Sequence, residues 1–153
     1  MPAPCTLAEL EADVARDLDL TAHPRMSWLR PKTANGTPVL DALIVGGGQC
    51  GVVTGFALMR DKLRNVLVLD RAPFGREGPW LTYARMPNLR SWKDQSGPDL
   101  GVPSLTYQAW HEAQFGRAAW DALRYIPKEL WNDYLLWLRR VTGVKVRNEV
   151  EAG

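Results

Sequence analysis

The run GGGQCG, from Gly46 to Gly51, contains the residues whose types and spacing are best suited to chemistry. Gly46, Gly48 and Gly51 form a GxGxxG pattern. In this pattern the first glycine permits a tight turn, the second lets a pyrophosphate approach the backbone, and the third lets a helix and a strand pack closely. A helix that begins there directs unpaired N–H groups and its positive dipole end at the phosphates. The run therefore predicts a site for the pyrophosphate of a dinucleotide.

Elements of the required kind flank these glycines. VLDALIV, from Val39 to Val45, is short and nearly all apolar, which is typical of a strand buried on both faces of a parallel sheet. VVTGFALMRDKL has the period of a helix, and NVLVLD, from Asn65 to Asp70, indicates a second buried strand. Strand, turn, helix and strand form a βαβ unit. Asp70 ends the second strand, where its carboxylate can accept hydrogen bonds from ribose hydroxyls and disfavours a 2′-phosphate.

Composition limits the class of protein. The 153 residues are 46% hydrophobic and 24% charged, which is typical of one soluble globular domain. The net charge of +2 is spread without a long run of one sign, so we expect no nucleic-acid partner. No apolar segment approaches about 18 residues and no signal peptide is visible, so we expect no membrane partner and a cytoplasmic location. Cys5 and Cys50 form no CxxC pair or Cys/His cluster, which predicts neither a disulfide framework nor a metal site.

The chain before the first predicted strand is expected to be a helix and a linker. Thr6 begins a capping box that is followed by a helical apolar repeat, which predicts an amphipathic helix over residues 6–19. Turn-forming residues without a period follow and indicate a linker. We therefore divide the chain into residues 1–38, a helix and linker, and residues 39–153, a dinucleotide-binding domain.

Residues 71–103 contain many glycines and prolines and no convincing period, so we expect a long irregular connection. Its aromatic residues argue against disorder because they need somewhere to bury, and a bound cofactor is one candidate. These aromatic residues are Phe74, Trp80, Tyr83 and Trp92. Arg85, Arg90 and Lys93 can contact a phosphate or stabilise an anionic cofactor, and a solvated basic loop is the other interpretation.

Two helices and a third strand are expected after this connection. A helix from Leu105 to Phe115 contains His111, which we interpret as a surface histidine in preference to a catalytic base, since no partner is visible. A helix from Pro127 to Arg140 is stopped by Gly143, and Val144 to Val150 is a possible strand. The apolar face of the second helix, expected to pack across the sheet, consists of Trp131, Tyr134, Leu135, Leu138 and Val141.

Five segments of the sequence carry a further signal, and they are DALIVGGGQCG, VLVLDRAPFGREGPW, MPNLRSWKD, SLTYQAWHEAQFG and IPKELWNDYLLWLRR. Together they resemble the N-terminal part of class B flavin-dependent monooxygenases, the group that includes Baeyer–Villiger and amino-acid N-hydroxylating enzymes. In that group the first GxGxxG binds FAD, an acidic residue ends the second strand, and a GG-x-W segment soon follows. The matching residues are Gly46, Gly48, Gly51, Asp70 and Glu77-Gly78-Pro79-Trp80.

The resemblance, which covers about residues 39–150, implies a cofactor and a reaction class. It implies that FAD is bound, that NADPH is the co-substrate that reduces the flavin, and that oxygen is then used to oxidise a small-molecule substrate of unknown identity. Such enzymes carry a second GxGxxG for NADPH and a C-terminal return to the FAD domain. We therefore expect an N-terminal portion that a second chain or a C-terminal part completes, and that is not fully active alone.

The expected fold class is α/β, with a Rossmann-like parallel sheet built on a βαβ FAD/NAD(P)-binding unit, a helical insertion and an incomplete sheet. The expected function is the FAD-binding portion of a flavin-dependent, NAD(P)H-linked, monooxygenase-like oxidoreductase. The alternatives are a non-catalytic dinucleotide-binding module, a fragment of an NAD-dependent dehydrogenase, and a structural protein whose glycines only form a turn. No catalytic residue is assigned. The expected cofactor-binding residues are Gly46, Gly47, Gly48, Gln49, Cys50, Gly51, Asp70, Arg71 and Trp80.

Overall fold

Residues 6–151 are described by a computed structural model of the chain. Residues 1–5 of the expected N-terminal segment, with Cys5 among them, and residues 152–153 of the expected domain lie outside the described residues. No helix within residues 6–151 is long and apolar enough to cross a membrane. The expected domain boundary at residue 38 stays a prediction.

The chain divides into two units. The helical unit consists of residues 6–21 and Trp80–Val141, and the sheet unit consists of Ala22–Pro79 and residues 142–151. In chain order the elements are α1 (Leu7–Leu20), β1 (Thr33–Ala34), β2 (Thr37–Pro38), β3 (Ala42–Val45), α2 (Gln49–Arg60), β4 (Val66–Leu69), a 3-10 turn (Pro103–Leu105), α3 (Tyr107–Phe115), α4 (Arg117–Ala122), α5 (Lys128–Thr142) and β5 (Val146–Arg147).

The expected linker contains a small antiparallel hairpin. Thr33 pairs with Pro38, and Ala34 pairs with Thr37. The turn between them is Asn35-Gly36, whose φ angles are both positive, at 51° and 78°. Asn-Gly is the pair that tight hairpin turns with two positive φ angles favour, so the sequence did contain a signal for this hairpin. The turn-forming residues predicted in this segment thus form an ordered hairpin.

The parallel sheet has the order β3-β4-β5, with β4 in the centre. Ala42 is opposite Val66 and Val45 is opposite Leu69, so β3 and β4 run side by side over their whole length. Helix α2 covers one face of this sheet, and the helix lies close to the sheet side chains at Gly55. A Cβ at Gly55 would lie 3.1 Å from Val144 and 3.4 Å from Val68. The expected α/β class with a parallel sheet and helices is confirmed.

The first strand differs from its prediction. It begins at Ala42 and not at Val39, and it is not buried on both faces. Leu43 is 52% exposed and Val45 is 69% exposed. Within the described chain β3 pairs with β4 alone, and α2 covers the face that contains Ile44. The alternating strand residues on the other face therefore stay exposed, although a run of apolar residues predicted burial of both faces.

Helix α1 has the N-terminal cap that the sequence predicted. The Thr6 hydroxyl accepts a hydrogen bond from the N–H of Glu9 at 3.2 Å. Glu11 anchors the helix within its unit, because its carboxylate accepts hydrogen bonds from the Trp137 indole at 3.1 Å and from the Arg140 guanidinium. The hydrogen bond from Arg140 lowers the pKa of Glu11.

Aromatic rings from α3 and α5 form the core of the helical unit. The ring of Tyr107 lies 5.3 Å from that of Tyr134 and 5.4 Å from that of Trp131, measured between centroids. Tyr134 is fully buried, and its hydroxyl donates a hydrogen bond to the carbonyl of Leu105 at 2.7 Å. The apolar face of α5, which was expected to pack across the sheet, thus supplies rings that pack on α3.

The connection from Leu69 to Pro103 contains no helix or longer strand, and every one of its residues is described. An isolated antiparallel bridge joins Asn88 to Pro127. Of the four rings that were expected to need burial, Trp80 is partly buried and the other three are exposed, with Phe74 at 67% and Tyr83 at 77%. Trp92 is 65% exposed and stacks on Tyr125, with the two centroids 6.2 Å apart.

Lys93 has a structural role that neither interpretation of the basic residues foresaw. Its ammonium donates a hydrogen bond to the carbonyl of Trp120 at 2.6 Å and lies 4.6 Å from the centroid of the same residue's ring. A cation near the last carbonyls of a helix is favoured by the helix dipole, and Trp120 lies in the last turn of α4. Lys93 therefore stabilises the C-terminal end of α4.

His111 is buried, so the expectation of a surface histidine is wrong. It is 4% exposed, and its ring lies 4.8 Å from that of Phe115 and 5.8 Å from that of Trp120. Burial lowers the pKa of His111, the Glu112 carboxylate opposes this shift, and the Lys93 ammonium adds to it. Its Nδ1 has no hydrogen-bond partner within the described residues. The aromatic core of the unit therefore holds a neutral imidazole.

We expect acid to destabilise the chain through His111. Because its folded pKa lies below the value of about 6.5 that histidine has in an unfolded chain, the unfolded state binds the proton first as the pH falls. The stability is then complete above about pH 6.5 and falls below it, by at most about 1.4 kcal/mol per pH unit for one group. The free energy of unfolding in urea, measured between about pH 8 and pH 5, tests this.

His111→Phe keeps a planar ring at this position and removes the titrating group. We expect this variant to lose less stability on acidification than the parent chain. His23→Gln, at an exposed histidine of the sheet unit, is the matched control and should follow the parent curve. Parallel curves for the parent and His111→Phe would contradict the assignment.

Candidate dinucleotide-binding site

The glycine run forms the turn between β3 and α2. Gly46 has a φ of 104° and donates its N–H to the carbonyl of Leu69 at 2.7 Å, which holds the turn at the carboxyl end of β4. Helix α2 begins at Gln49, and Gly48 occupies the N-cap position without a side-chain hydrogen bond. A helix start without a side-chain cap favours an external acceptor, and an anion best matches the positive end of the dipole.

The glycines of this turn are required by close packing. A Cβ at Gly51 would lie 1.7 Å from the carbonyl oxygen of Gly46, so a side chain at that position collides with the backbone of the turn. A Cβ at Gly47 would lie 2.8 Å from Val146 and 3.1 Å from the Cβ of Asp70. The third glycine of the pattern thus acts as the sequence predicted, because it lets helix and turn pack together.

Gly48 has a neighbour that the sequence did not indicate. Its glycine character was explained by the approach of a pyrophosphate, but the Cα of Gly78 lies 3.4 Å from the place where a Cβ at Gly48 would be. Gly78 has a φ of 79°, a backbone conformation that favours glycine. Backbone from the loop after β4 therefore lies directly against the turn.

Asp70 links the end of β4 to the glycine turn. Its Oδ2 accepts a hydrogen bond from the N–H of Gly47 at 2.6 Å, and its Oδ1 accepts one from the N–H of Ala72 at 2.7 Å. A carboxylate has about four lone-pair positions, so two remain for hydroxyl donors of a ligand. The expected position of Asp70 beside the turn is thus observed, and its contact with ribose stays a prediction.

The other residues that were expected to contact the cofactor lie in different surroundings. Cys50, in the first turn of α2, is an exposed free thiol. Arg71 follows Asp70 and is exposed. Trp80 belongs to the helical unit, where its ring meets that of Trp131 edge-on with centroids 6.3 Å apart. The sheet unit therefore brings together Asp70 and the run from Gly46 to Gly51.

Asn148 was not identified from the sequence as part of this region, and Glu77 entered only as the first residue of the segment that resembles GG-x-W. Glu77 is 8% exposed, and its Oε1 accepts a hydrogen bond from the Asn148 amide. The glycine at position 78 was the sequence signal for an ordered turn after Glu77, and its φ in the structure is positive. Nothing local marks Asn148, because its partner lies 71 positions away in the chain. Within residues 6–151 no group of three or more His, Cys, Asp or Glu side chains is arranged to hold a metal ion.

A parallel sheet, a glycine turn and a carboxylate at the next strand end define a dinucleotide-binding protein of the α/β class. The chain belongs to the FAD-NAD(P)-binding family, which it matches over residues 43–152. It is also 49% identical, over 146 residues, to an FAD-dependent urate hydroxylase from Xanthomonas campestris pv. campestris. That similarity covers 95% of this chain and 31% of the relative, so the chain spans about a third of the relative's length. No solved structure matches the chain significantly.

These similarities support a binding site for FAD. The family binds FAD or NAD(P), and the relative is by its name a flavin-dependent hydroxylase. Both similarities agree with the FAD assignment that the sequence predicted. The class B subtype, the NADPH co-substrate and the roles of individual residues stay predictions.

We expect Gly51→Ala to destabilise the sheet unit far more than Gly55→Ala, although both residues lie in α2. A Cβ at Gly51 collides with a backbone oxygen, so we expect a loss of at least about 3 kcal/mol in the free energy of unfolding. At Gly55 the nearest atom, 3.1 Å away, belongs to the Val144 side chain and not to the backbone, and alanine gains about 1 kcal/mol in helix propensity. Urea unfolding followed by circular dichroism measures both. Equal losses would show that Gly51 is not closely packed.

Proposed function

We propose that this chain is the FAD-binding portion of a flavin-dependent, NAD(P)H-linked hydroxylase. The observation that carries the proposal is the hydrogen bond from the N–H of Gly47 to the carboxylate of Asp70. Because Gly47 lies just before α2, this bond places a carboxylate and a helix N-terminus at one end of the parallel sheet. This is where dinucleotides bind in open α/β sheets. The identity of 49% to an FAD-dependent protein favours FAD over NAD.

Each part of the site has a proposed role. The turn from Gly46 to Gly51 surrounds the pyrophosphate. Because the N–H groups of Gly46 and Gly47 already donate to Leu69 and Asp70, the N–H groups that hold it are those at the start of α2, with Gln49 and Cys50 contributing through their backbone. Asp70 binds the adenosine ribose through the lone pairs that its two hydrogen bonds leave unused. Arg71 and Trp80 are weaker contacts. FAD, when bound, supplies the two-electron redox chemistry, and the protein supplies binding and orientation.

The whole protein's reaction is proposed from the relative. The relative's name assigns it urate, a planar nitrogen heterocycle, and we propose a substrate of that kind here. NADPH is the proposed reductant and class B monooxygenases are the proposed subfamily, because the motif segments resemble that group. In this proposal the sheet is part of a Rossmann-like domain that further chain completes, and that chain also supplies the NADPH and substrate sites.

A non-catalytic dinucleotide-binding module is the second candidate. The glycine turn and the Asp70 carboxylate are features of a binding site and do not by themselves imply a reaction. An NAD-dependent dehydrogenase is a third reading, since Asp70 suits the ribose of NAD equally well. Direct binding measurements separate these three.

We expect the purified chain to contain FAD, or to bind it in a titration followed by flavin absorbance and fluorescence, with NAD and NADP binding more weakly. Gly48→Ala should weaken FAD binding about tenfold or more, because a methyl group there meets both Gly78 and the approaching pyrophosphate. Asp70→Ala should weaken it by a similar factor, since a charged hydrogen-bond acceptor is lost.

Asp41→Ala is the matched control for Asp70→Ala. Asp41 also accepts two backbone hydrogen bonds, both at 3.0 Å, from Arg64 and Asn65 at the opposite end of the sheet. We expect it to lower stability and leave FAD affinity unchanged. Binding of NAD without FAD would favour the dehydrogenase, and a folded chain that binds no dinucleotide would reduce the glycine run to a structural turn.

A further inference from the structure

The loop after β4 is attached to the end of β5 by one buried side-chain interaction. The amide of Asn148 donates hydrogen bonds to the carbonyl of Ala72 at 3.0 Å and to Oε1 of Glu77 at 2.5 Å. Glu77 is 8% exposed, although most glutamates lie at the surface. This pair, the Glu77–Asn148 clip, lies wholly within the sheet unit.

Main-chain hydrogen bonds attach the first part of this loop to the end of β5. The N–H of Asp70 bonds to the carbonyl of Arg147, and the N–H of Val150 bonds to the carbonyl of Asp70. The N–H of Glu149 reaches the carbonyl of Ala72 at 3.3 Å. Asn148 extends this attachment five residues further along the loop, from Ala72 to Glu77.

The residue next to the clip is the one that lies on the glycine turn. Gly78 follows Glu77, and its Cα lies 3.4 Å from the position that a Cβ at Gly48 would occupy. Gly48 is the N-cap of α2, where backbone N–H groups are directed at an acceptor. The position of Gly78 therefore determines how much room the turn leaves for a phosphate.

We propose that the Glu77–Asn148 clip positions Gly78 against Gly48 and thereby sets the geometry of the pyrophosphate site. Asn148 and Glu77 are positioning residues in this account, because they act on the dinucleotide through the loop without touching it. The proposal rests on the proposed dinucleotide-binding function. It assigns a cofactor-related role to the end of β5, which the glycine motif does not include.

The clip can be tested by substitutions that change the charge or the hydrogen-bond donors of Glu77 and Asn148. Asn148→Asp replaces the donor with a second carboxylate beside Glu77, which repels it. Glu77→Gln keeps an acceptor oxygen for Asn148. In the double variant Glu77→Gln/Asn148→Asp, the glutamine amide can donate to the new carboxylate, so the bond between positions 77 and 148 is restored with its direction reversed, while the hydrogen bond to the Ala72 carbonyl stays lost.

Asn148→Ala and Asn65→Ala are a matched pair for the loss of an asparagine amide. The Asn65 amide donates to the carbonyl of Val39 at 2.9 Å, in the same unit but at the other end of β4. Both variants lose side-chain hydrogen bonds to the main chain, and only Asn148→Ala removes hydrogen bonds to this loop. Thermal unfolding of each variant establishes that a folded chain is compared.

Two measurements on the full chain test the proposal. Amide hydrogen exchange in the ligand-free chain should speed up by about tenfold or more over residues 73–79 and 46–51 in Asn148→Asp and Asn148→Ala. It should be unchanged in Asn65→Ala. FAD affinity, measured by titration, should fall about tenfold in Asn148→Asp and less than about threefold in Glu77→Gln. The double variant should bind FAD more tightly than Asn148→Asp, because it regains the bond between positions 77 and 148.

The outcomes separate the clip from the function on which it rests. A parent chain that binds FAD, with equal affinity in Asn148→Asp, Asn148→Ala and Asn65→Ala, would overturn the clip and leave the proposed function standing. A parent chain that binds NAD or NADP in place of FAD would overturn the flavin assignment, and the same affinity series with that dinucleotide would decide the clip. A folded parent chain that binds no dinucleotide would overturn both, whatever hydrogen exchange shows.

Discussion

Helix α2 begins so close to the glycine turn that a side chain at Gly51 has no room, and the sheet unit depends on this contact. The carbonyl oxygen of Gly46 lies 1.7 Å from the place where a Cβ would be. The start of the helix is therefore held at the carboxyl ends of β3 and β4, where the unpaired N–H groups of a helix can meet a ligand. Gly55, one helical turn later, lets the rest of α2 lie on Ile44 and Val68.

Both ends of the sheet are tied by the same interaction, but only one end has a turn suited to ligand binding. Asp41 accepts the N–H groups of Arg64 and Asn65 before β4 begins, and Asp70 accepts those of Gly47 and Ala72 after β4 ends. At the first end the carboxylate contributes to stability alone. At the second it stands beside glycines, where unused lone pairs and backbone donors lie close together. The neighbouring residues, and not the aspartate itself, make Asp70 a candidate ligand-binding carboxylate and Asp41 a structural one.

The helical unit belongs to what this chain shares with its relative. The family match begins at residue 43, but the similarity to the urate hydroxylase extends over 146 residues, 95% of the chain. Fewer residues are left outside that alignment than the 14 residues of α1, so at least part of this helix is included. The aromatic core around Tyr107 and Tyr134, and the buried His111 beside it, are therefore features to compare with flavin-dependent hydroxylases.

The sequence by itself determined the features that local patterns encode. These are the order of strand, glycine turn, helix and strand, the Thr6 cap of α1, the end of α5 before Gly143 and the place of Asp70 after β4. Each depends on backbone conformation or side-chain period within a few residues. Only the tertiary structure decided that His111 is buried, that Leu43 and Val45 are exposed, and that Asn148 reaches Glu77. Burial and distant hydrogen bonds depend on which elements pack together, and residues 71 positions apart leave no joint pattern in a single sequence.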